Sequence, residues 1–253
     1  MRVLMVHGWG MNQHVWQPVQ QALSDEIELI TLDLPGHGER YQENFDDLQS
    51  LTDDLRHSCE SLKQNEQPLL LVGWSLGGLP CLQLAVQQPA LVDGLLLVSS
   101  NPCFVSAGDW ASGVQAKVFE QFADSLQADF SGTIRRFLSL QVKGSESGRK
   151  TLRSLREKIL QQAQPNQQSL SAGLDVLKCS DLRENLLQIH QPVSWALGAQ
   201  DGLVPAALAQ GLKKLLPDAQ VQLYEKAGHA PFLSHTDEFV QQLKQCVQML
   251  EKA

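Results

Sequence analysis

"LLLVGWSLGGLPCLQLA", residues 69–85, runs from an apolar stretch, through one serine set among glycines, into a segment of helical character. Gly73, Gly77 and Gly78 surround Ser75 within six residues. Inside a strand or helix each glycine costs roughly 0.5–1 kcal/mol relative to alanine, so three together point to a turn that needs them. Gly73-Trp74-Ser75-Leu76-Gly77 fits G-x-S-x-G, a pattern common enough to arise by chance. Its place, after a buried strand and before a helix, gives it meaning. A sharp turn there forces the serine into strained backbone geometry and exposes its hydroxyl above the sheet, while the glycines let strand and helix approach. The helix N-terminus beside it favours developing negative charge. The competing reading is a serine N-cap in a glycine-rich turn.

Outward from this stretch, short apolar runs alternate with amphipathic ones. "RVLMV" (2–6), "IELITL" (27–32), "PLLLVG" (68–73), "GLLLVSS" (94–100), "PVSWALG" (192–198) and "VQLYEKA" (221–227) read as strands. Nearly continuous apolar runs suit a parallel sheet covered on both faces. Residues 48–63, 76–87, 206–215 and 236–250 place apolar residues at helical spacing. Alternation of this kind predicts an open α/β sheet, with chemistry beyond the carboxyl ends of its strands. Between Phe104 and His190 the text is helical, and its length exceeds an ordinary crossover of about a dozen residues. The expectation is a core of residues 1–103 and 191–253 with a helical cap, 104–190, inserted over the strand ends. Ordinary outer-layer helices are the alternative.

A serine needs a base and an orienting acid, here in the order serine, acid, histidine. "AQDGLVP" puts Asp201 just past the fifth run, and "GHAPFLSH" puts His229 just past the sixth. Asp201 could equally be a turn residue and His229 a loop residue, but the shared order and edge favour a Ser75–His229–Asp201 triad. An acyl-transfer oxyanion also needs two N–H donors. Leu76 follows the nucleophile, and Trp9 lies in "HGWGMN" (7–12), after the first run. The alternative for the latter is a glycine-rich connection with a packed tryptophan. His7 falls wrongly in chain order, His37 in "DLPGHGER" reads as a turn or supporting residue, and His235 as a helix cap.

Composition narrows the classes. The 253 residues are 43% hydrophobic and 19% charged, with a net charge of −8, which argues against a protein whose whole surface binds nucleic acid. No apolar run approaches the ~20 residues of a membrane span. The opening "MRVLMVHGWG" lacks signal-peptide character, so a soluble, cytoplasmic protein is expected. Five dispersed cysteines (Cys59, Cys81, Cys103, Cys179, Cys246) suit reduced thiols, with Cys81, Cys103 and Cys246 as packing residues. They form no zinc spacing with the histidines, and neither metal nor cofactor is expected.

Together "HGWG", "DLPGHG", "GWSLGGL", "SSNPCF", "RRFLSLQ", "DGLVP" and "AGHAPFLSH" resemble the pimeloyl-[acyl-carrier protein] methyl ester carboxylesterases of biotin synthesis, which have the α/β-hydrolase fold. The resemblance covers nearly the whole chain, and "NPCF" and "RFLSLQ" are its most particular motifs. It implies a nucleophile, acid and base at Ser75, Asp201 and His229. It also implies substrate contacts at Trp9, Ser75, Leu76, Phe137, Leu138, Ser139, Leu140, Gln141 and His229. Two departures stand out. The chain opens directly on its first strand, where relatives usually carry a hairpin, so a sheet shortened at one edge is expected. Gly132 stands where the family tends to have arginine, with Arg135 and Arg136 close by.

Residues 131–160 hold eight Lys/Arg against Glu146 and Glu157, a net of +6 that leaves −14 on the rest. No aromatics interleave with these charges as base stacking would require. An acidic acyl-carrier protein is the better partner, with Arg136, Arg149 and Arg153 as its docking residues; a solvated basic face is the alternative. No nucleic-acid or membrane partner is expected, and the enzyme is expected to be a monomer. Competing functions are a general short-chain esterase, a lyase or C–C hydrolase using the same serine, and a binding module without turnover.

Overall fold

The computed structural model describes residues 1–23, 27–63, 67–129, 132–133, 136–137, 150–153 and 165–252. Its strands are β1 (Arg2–Val6), β2 (Glu28–Leu32), β3 (Leu69–Trp74), β4 (Gly94–Val98), β5 (Val193–Gly198) and β6 (Gln220–Tyr224). Helices of six or more residues are α1 (Gln17–Ala22), α2 (Leu48–Lys63), α3 (Gly78–Gln87), α4 (Ala116–Ala128), α5 (Gln167–Cys179), α6 (Leu208–Leu215) and α7 (Thr236–Glu251).

The strands form one parallel sheet in the order β2-β1-β3-β4-β5-β6. Every residue of β3, β4 and β5 is buried, as strands with both faces covered must be. Two helix pairs supply the cover: α2 packs on α3, and α1 on α7. Leu51, Leu55 and Cys59, about one turn apart, put one side of α2 inward. Asp47 and Ser50 begin that helix by capping each other, Ser50 N–H to Asp47 Oδ1 (2.8 Å) and Asp47 N–H to Ser50 Oγ (3.1 Å).

The order of strands reverses between β1 and β3, whose register pairs Val6 with Gly73. The loops leaving these two strands therefore meet at the carboxyl edge of the sheet, the usual ligand position in such sheets.

The sheet is parallel and covered on both faces, as expected, and the expected helix over 48–63 has those same ends. The run at 221–227 differs: β6 ends at Tyr224, where the Ala227 N–H turns back onto the Tyr224 carbonyl. Residues 104–115 are also not helical. They fold back on themselves through bridges Val105–Val114 and Ala107–Trp110 before α4 begins. Among the described residues, no helix is long and apolar enough to cross a membrane.

Candidate active site

At the end of β3 the chain turns within one residue. Ser75 has φ +54°, a left-handed conformation unfavourable for a side chain with a Cβ, and Ser75–Gly77 form a single helical turn leading into α3. The flanking glycines answer to space. A Cβ on Gly73 would lie 2.5 Å from the Gly78 Cα, and one on Gly77 would lie 2.5 Å from the His7 carbonyl oxygen. Strand, turn and helix start are therefore in backbone contact, and only hydrogen fits between them.

Asp201 and His229 reach Ser75 from the loops after β5 and β6. His229 Nε2 lies 2.9 Å from Ser75 Oγ, and its Nδ1 lies 2.7 Å from Asp201 Oδ2. Ser75, His229 and the Asp201 carboxylate are all nearly closed to solvent. The carboxylate fixes the imidazole tautomer: Nδ1–H donates to Asp201, leaving Nε2 to accept from the serine hydroxyl. Asp201 is itself held, because Oδ1 accepts from the Leu203 N–H (2.8 Å) and the Val204 N–H (3.1 Å). The His229 loop is anchored by the Trp74 indole, which donates to the His229 carbonyl at 2.8 Å. The structure thus brings together all three residues that the sequence singled out.

The loop after β1 lies directly against the serine, since a Cβ on Gly8 would sit 3.1 Å from the Ser75 Cβ. Gly10 (φ +68°) gives this loop its reversal. Trp9 is buried, its indole N–H donating to the Leu170 carbonyl of α5 at 2.8 Å. The same ring meets Phe122 and Phe137 edge-on, at centroid distances of 5.1 and 5.2 Å. Helix α5 comes so near that a Cβ on Gly173 would stand 2.7 Å from Trp9 Cδ1. Asn166 caps α5 by accepting the Ser169 N–H and ties it down by donating to the Tyr41 and Glu43 carbonyls.

His7 and His37 stand outside the triad, fully buried, with ring centroids 5.2 Å apart. Each is a neutral imidazole with both nitrogens used. His7 Nδ1 faces the Gly8 carbonyl and Nε2 accepts from the Leu34 N–H; His37 Nδ1 faces the Pro35 carbonyl and Nε2 accepts from the Gly10 N–H. Desolvation pushes His7 down to about 4; desolvation, helped by its neighbour His7, pushes His37 down to about 3. His37 is therefore a support for the loop that carries Trp9. His235 occupies the N-cap position of α7, but its ring bonds Ser234 Oγ and does not cap the helix, correcting the expected capping role. One relevant contact was not anticipated: the Ser100 hydroxyl donates to the Ser75 carbonyl.

Phe137 is buried, and Arg136 and Arg153 are exposed. Arg136 lies 3.8 Å from Asp129 and donates to Thr133 Oγ1. Leu138, Ser139, Leu140, Gln141 and Arg149 lie outside the described residues. Cys59, Cys81, Cys103 and Cys246 are buried, and burial pushes the Cys59 thiol up to about 12, as suits a packing residue. Among the described residues no group of three or more His, Cys, Asp and Glu is placed to hold a metal ion.

A parallel sheet with this strand order, carrying a strained serine, a histidine and a buried carboxylate along one edge, defines a serine hydrolase of the α/β type. The chain belongs to the alpha/beta hydrolase family, whose model matches residues 3–242. It is 39% identical to a protein of Vibrio cholerae named pimeloyl-[acyl-carrier protein] methyl ester esterase, over 95% of this chain and 92% of that one. It is likewise 39% identical to the protein of that name in Nitrosomonas europaea, over 94% of this chain and 92% of that one. Among solved structures, an esterase from Exiguobacterium antarcticum superposes with a TM-score of 0.86 at 19% identity, covering 99% of this chain and 92% of that one. A bromoperoxidase from Bacillus anthracis does so with a TM-score of 0.86 at 20% identity, covering 98% and 91%. The two structures speak to the fold alone.

Proposed function

We infer that this protein is a serine carboxylesterase that hydrolyses the methyl ester of pimeloyl-acyl-carrier protein, releasing methanol and the free carboxylate in biotin synthesis. The observation that carries the chemistry is the unbroken relay of Ser75 Oγ, His229 and Asp201 at 2.9 and 2.7 Å. The substrate rests on the relatives that share this chain nearly end to end.

Ser75 Oγ attacks the ester carbonyl carbon as its proton passes to His229 Nε2. The imidazolium so formed is stabilised by Asp201, which stays ionised. The N–H groups of Leu76 and Trp9 are the donors to the oxyanion, a reading supported by the contact of the Gly8 backbone with Ser75. Collapse of the tetrahedral intermediate expels methoxide, which takes the proton from His229 and leaves as methanol. Water then attacks the acyl-enzyme, giving its proton to His229, and Ser75 Oγ departs with that proton. No metal or redox cofactor enters this balance.

Residues 104–190 act as the cap, with Trp9, Phe122 and Phe137 as apolar walls for the seven-carbon acyl chain. The stretch Phe137 to Gln141 contributes further substrate contacts by the family pattern. Arg136, Arg149 and Arg153 receive the acidic carrier, in keeping with the exposure of Arg136 and Arg153. The protein works in the cytoplasm as a monomer.

The test is release of methanol from pimeloyl-carrier methyl ester, compared with the free acid's other esters. Turnover of short esters without methanol release from the carrier-linked substrate would leave a general esterase.

A further inference from the structure

We propose that Ser100 is a positioning residue for the nucleophile: its buried hydroxyl donates to the Ser75 carbonyl and holds the turn at Ser75 in its left-handed conformation. The inference rests on the reading of Ser75 as nucleophile and deepens it.

Among the described residues two that are not glycine have positive φ, Ser75 at +54° and Ser99 at +43°. Each such conformation costs of order 1–3 kcal/mol and persists only where its surroundings enforce it. Ser99 gains nothing through its own side chain, because its Oγ is fully buried without a hydrogen-bond partner. Its backbone N–H is still held by the sheet, donating to the Ala196 carbonyl at 2.9 Å. The consequence of the twist falls on the next residue. Ser100 lies against the start of α3, where a Cβ on Gly78 would fall on its side chain. From there its hydroxyl reaches the Ser75 carbonyl at 2.8 Å.

Ser100 is anchored on its other side as well. Its carbonyl accepts from the Trp195 indole N–H at 3.1 Å, and Trp195 belongs to β5, the strand that leads to Asp201. A continuous connection therefore runs from the strand of the acid, through Ser100, to the backbone of the nucleophile. The Ser75 carbonyl also accepts from the Gly78 N–H at the start of α3. Without Ser100 the carbonyl loses its side-chain partner, and the strained turn would be freer to relax toward an ordinary helix start. Small displacements of a nucleophile are costly in rate, reaching about a hundredfold for 1 Å.

The experiment measures the rate at which a small fluorophosphonate labels Ser75, together with kcat and KM for p-nitrophenyl acetate. Ser100→Ala should slow labelling and lower kcat by about tenfold, with KM changed less than about twofold. Ser100→Cys keeps a weaker donor in a slightly larger side chain and should fall between Ser100→Ala and wild type. It also serves if the alanine variant does not fold. Leu250→Ala, at the far edge where Leu250 packs on Gly94, supplies a destabilised control and should leave both rates unchanged. Labelling of both Ser100 variants at the wild-type rate would overturn the proposal, as would equal slowing by Leu250→Ala. A wild-type protein that is labelled elsewhere, or not at all, would instead remove the nucleophile assignment on which the proposal stands.

Discussion

Replacing Asp201 by asparagine should reverse the triad's proton order, and the structure says which way the amide will sit. Oδ1 of Asp201 accepts two backbone N–H groups, those of Leu203 and Val204, while Oδ2 alone faces His229 Nδ1. An asparagine that keeps its carbonyl oxygen on the two backbone donors must turn its NH2 toward His229. Turned the other way, it would press that NH2 against two buried N–H groups and strand them, at about 1–3 kcal/mol for each. Two such losses amount to roughly 2–6 kcal/mol, so the productive orientation is populated at a few per cent or less. With NH2 facing it, Nδ1 becomes the acceptor and Nε2 carries the proton. Nε2 then donates toward Ser75 Oγ and cannot deprotonate it. A triad whose acid becomes an amide loses on the order of 10⁴ in kcat. Here kcat at neutral pH should fall about 10³–10⁴-fold on p-nitrophenyl butyrate, with Tm nearly unchanged because both backbone bonds survive. Loss of less than about tenfold, or surviving activity while a different loop carboxylate proves essential, would refute the reasoning.

Ser75→Ala should fold and bind carrier substrate but lose turnover by several orders of magnitude, as read by methanol release. The buried pair His7 and His37 should make the fold acid-sensitive. Their folded pKa values, about 4 and about 3, lie below the unfolded value near 6.5. Above pH 6.5 both states are neutral and nothing is lost; as pH falls from 6.5 toward 4 the unfolded chain takes up protons that the folded one refuses. Stability should then drop by about 1.4 kcal/mol per pH unit for each histidine, visible in urea midpoints at pH 7, 6 and 5, and His37→Gln should reduce the slope. Gly77→Ala would force a methyl against the His7 and Val6 carbonyls, at 2.5 and 2.8 Å. Since both are backbone, about 3 kcal/mol of stability should be lost in a denaturant titration, with activity falling further. Finally, Arg149→Glu with Arg153→Glu should raise KM for carrier-linked ester about tenfold or more and spare a short neutral ester, and added salt should narrow the wild-type preference. Equal loss on both substrates would make these arginines structural.

The sheet was legible because its strands are continuous apolar runs between turn residues, and the triad because each member follows one of those runs. Boundaries were harder where a run continues into a turn, as at Tyr224, since "EKA" carries the β pattern on while the backbone already reverses. The non-helical 104–115 segment has no periodicity of its own. Its shape comes from long-range contacts such as the Arg183 guanidinium 5.5 Å above the Trp110 ring and paired with Asp109 and Asp181. Ser100 was invisible for the same reason: "VSSNP" reads as a strand end, and a hydroxyl reaching a carbonyl in the turn after a neighbouring strand leaves no mark in spacing. His7 and His37 were set apart from the triad by chain order, but their mutual contact appears only in space.

Trp9 belongs to two neighbourhoods at once. Its chain neighbour Gly8 packs on Ser75, while its own indole is bonded to the Leu170 carbonyl and wedged between Phe122, Phe137 and Gly173. Helices α4 and α5, which carry Phe122 and Leu170, are therefore not a cassette that evolution or an engineer can exchange for another while leaving the loop after β1 as it was. A transplanted replacement must bring its own carbonyl for the indole and its own gap for the ring, or the loop that carries Trp9 will drift with it. Re-engineering this part of the scaffold is safer one residue at a time than by exchanging whole helices.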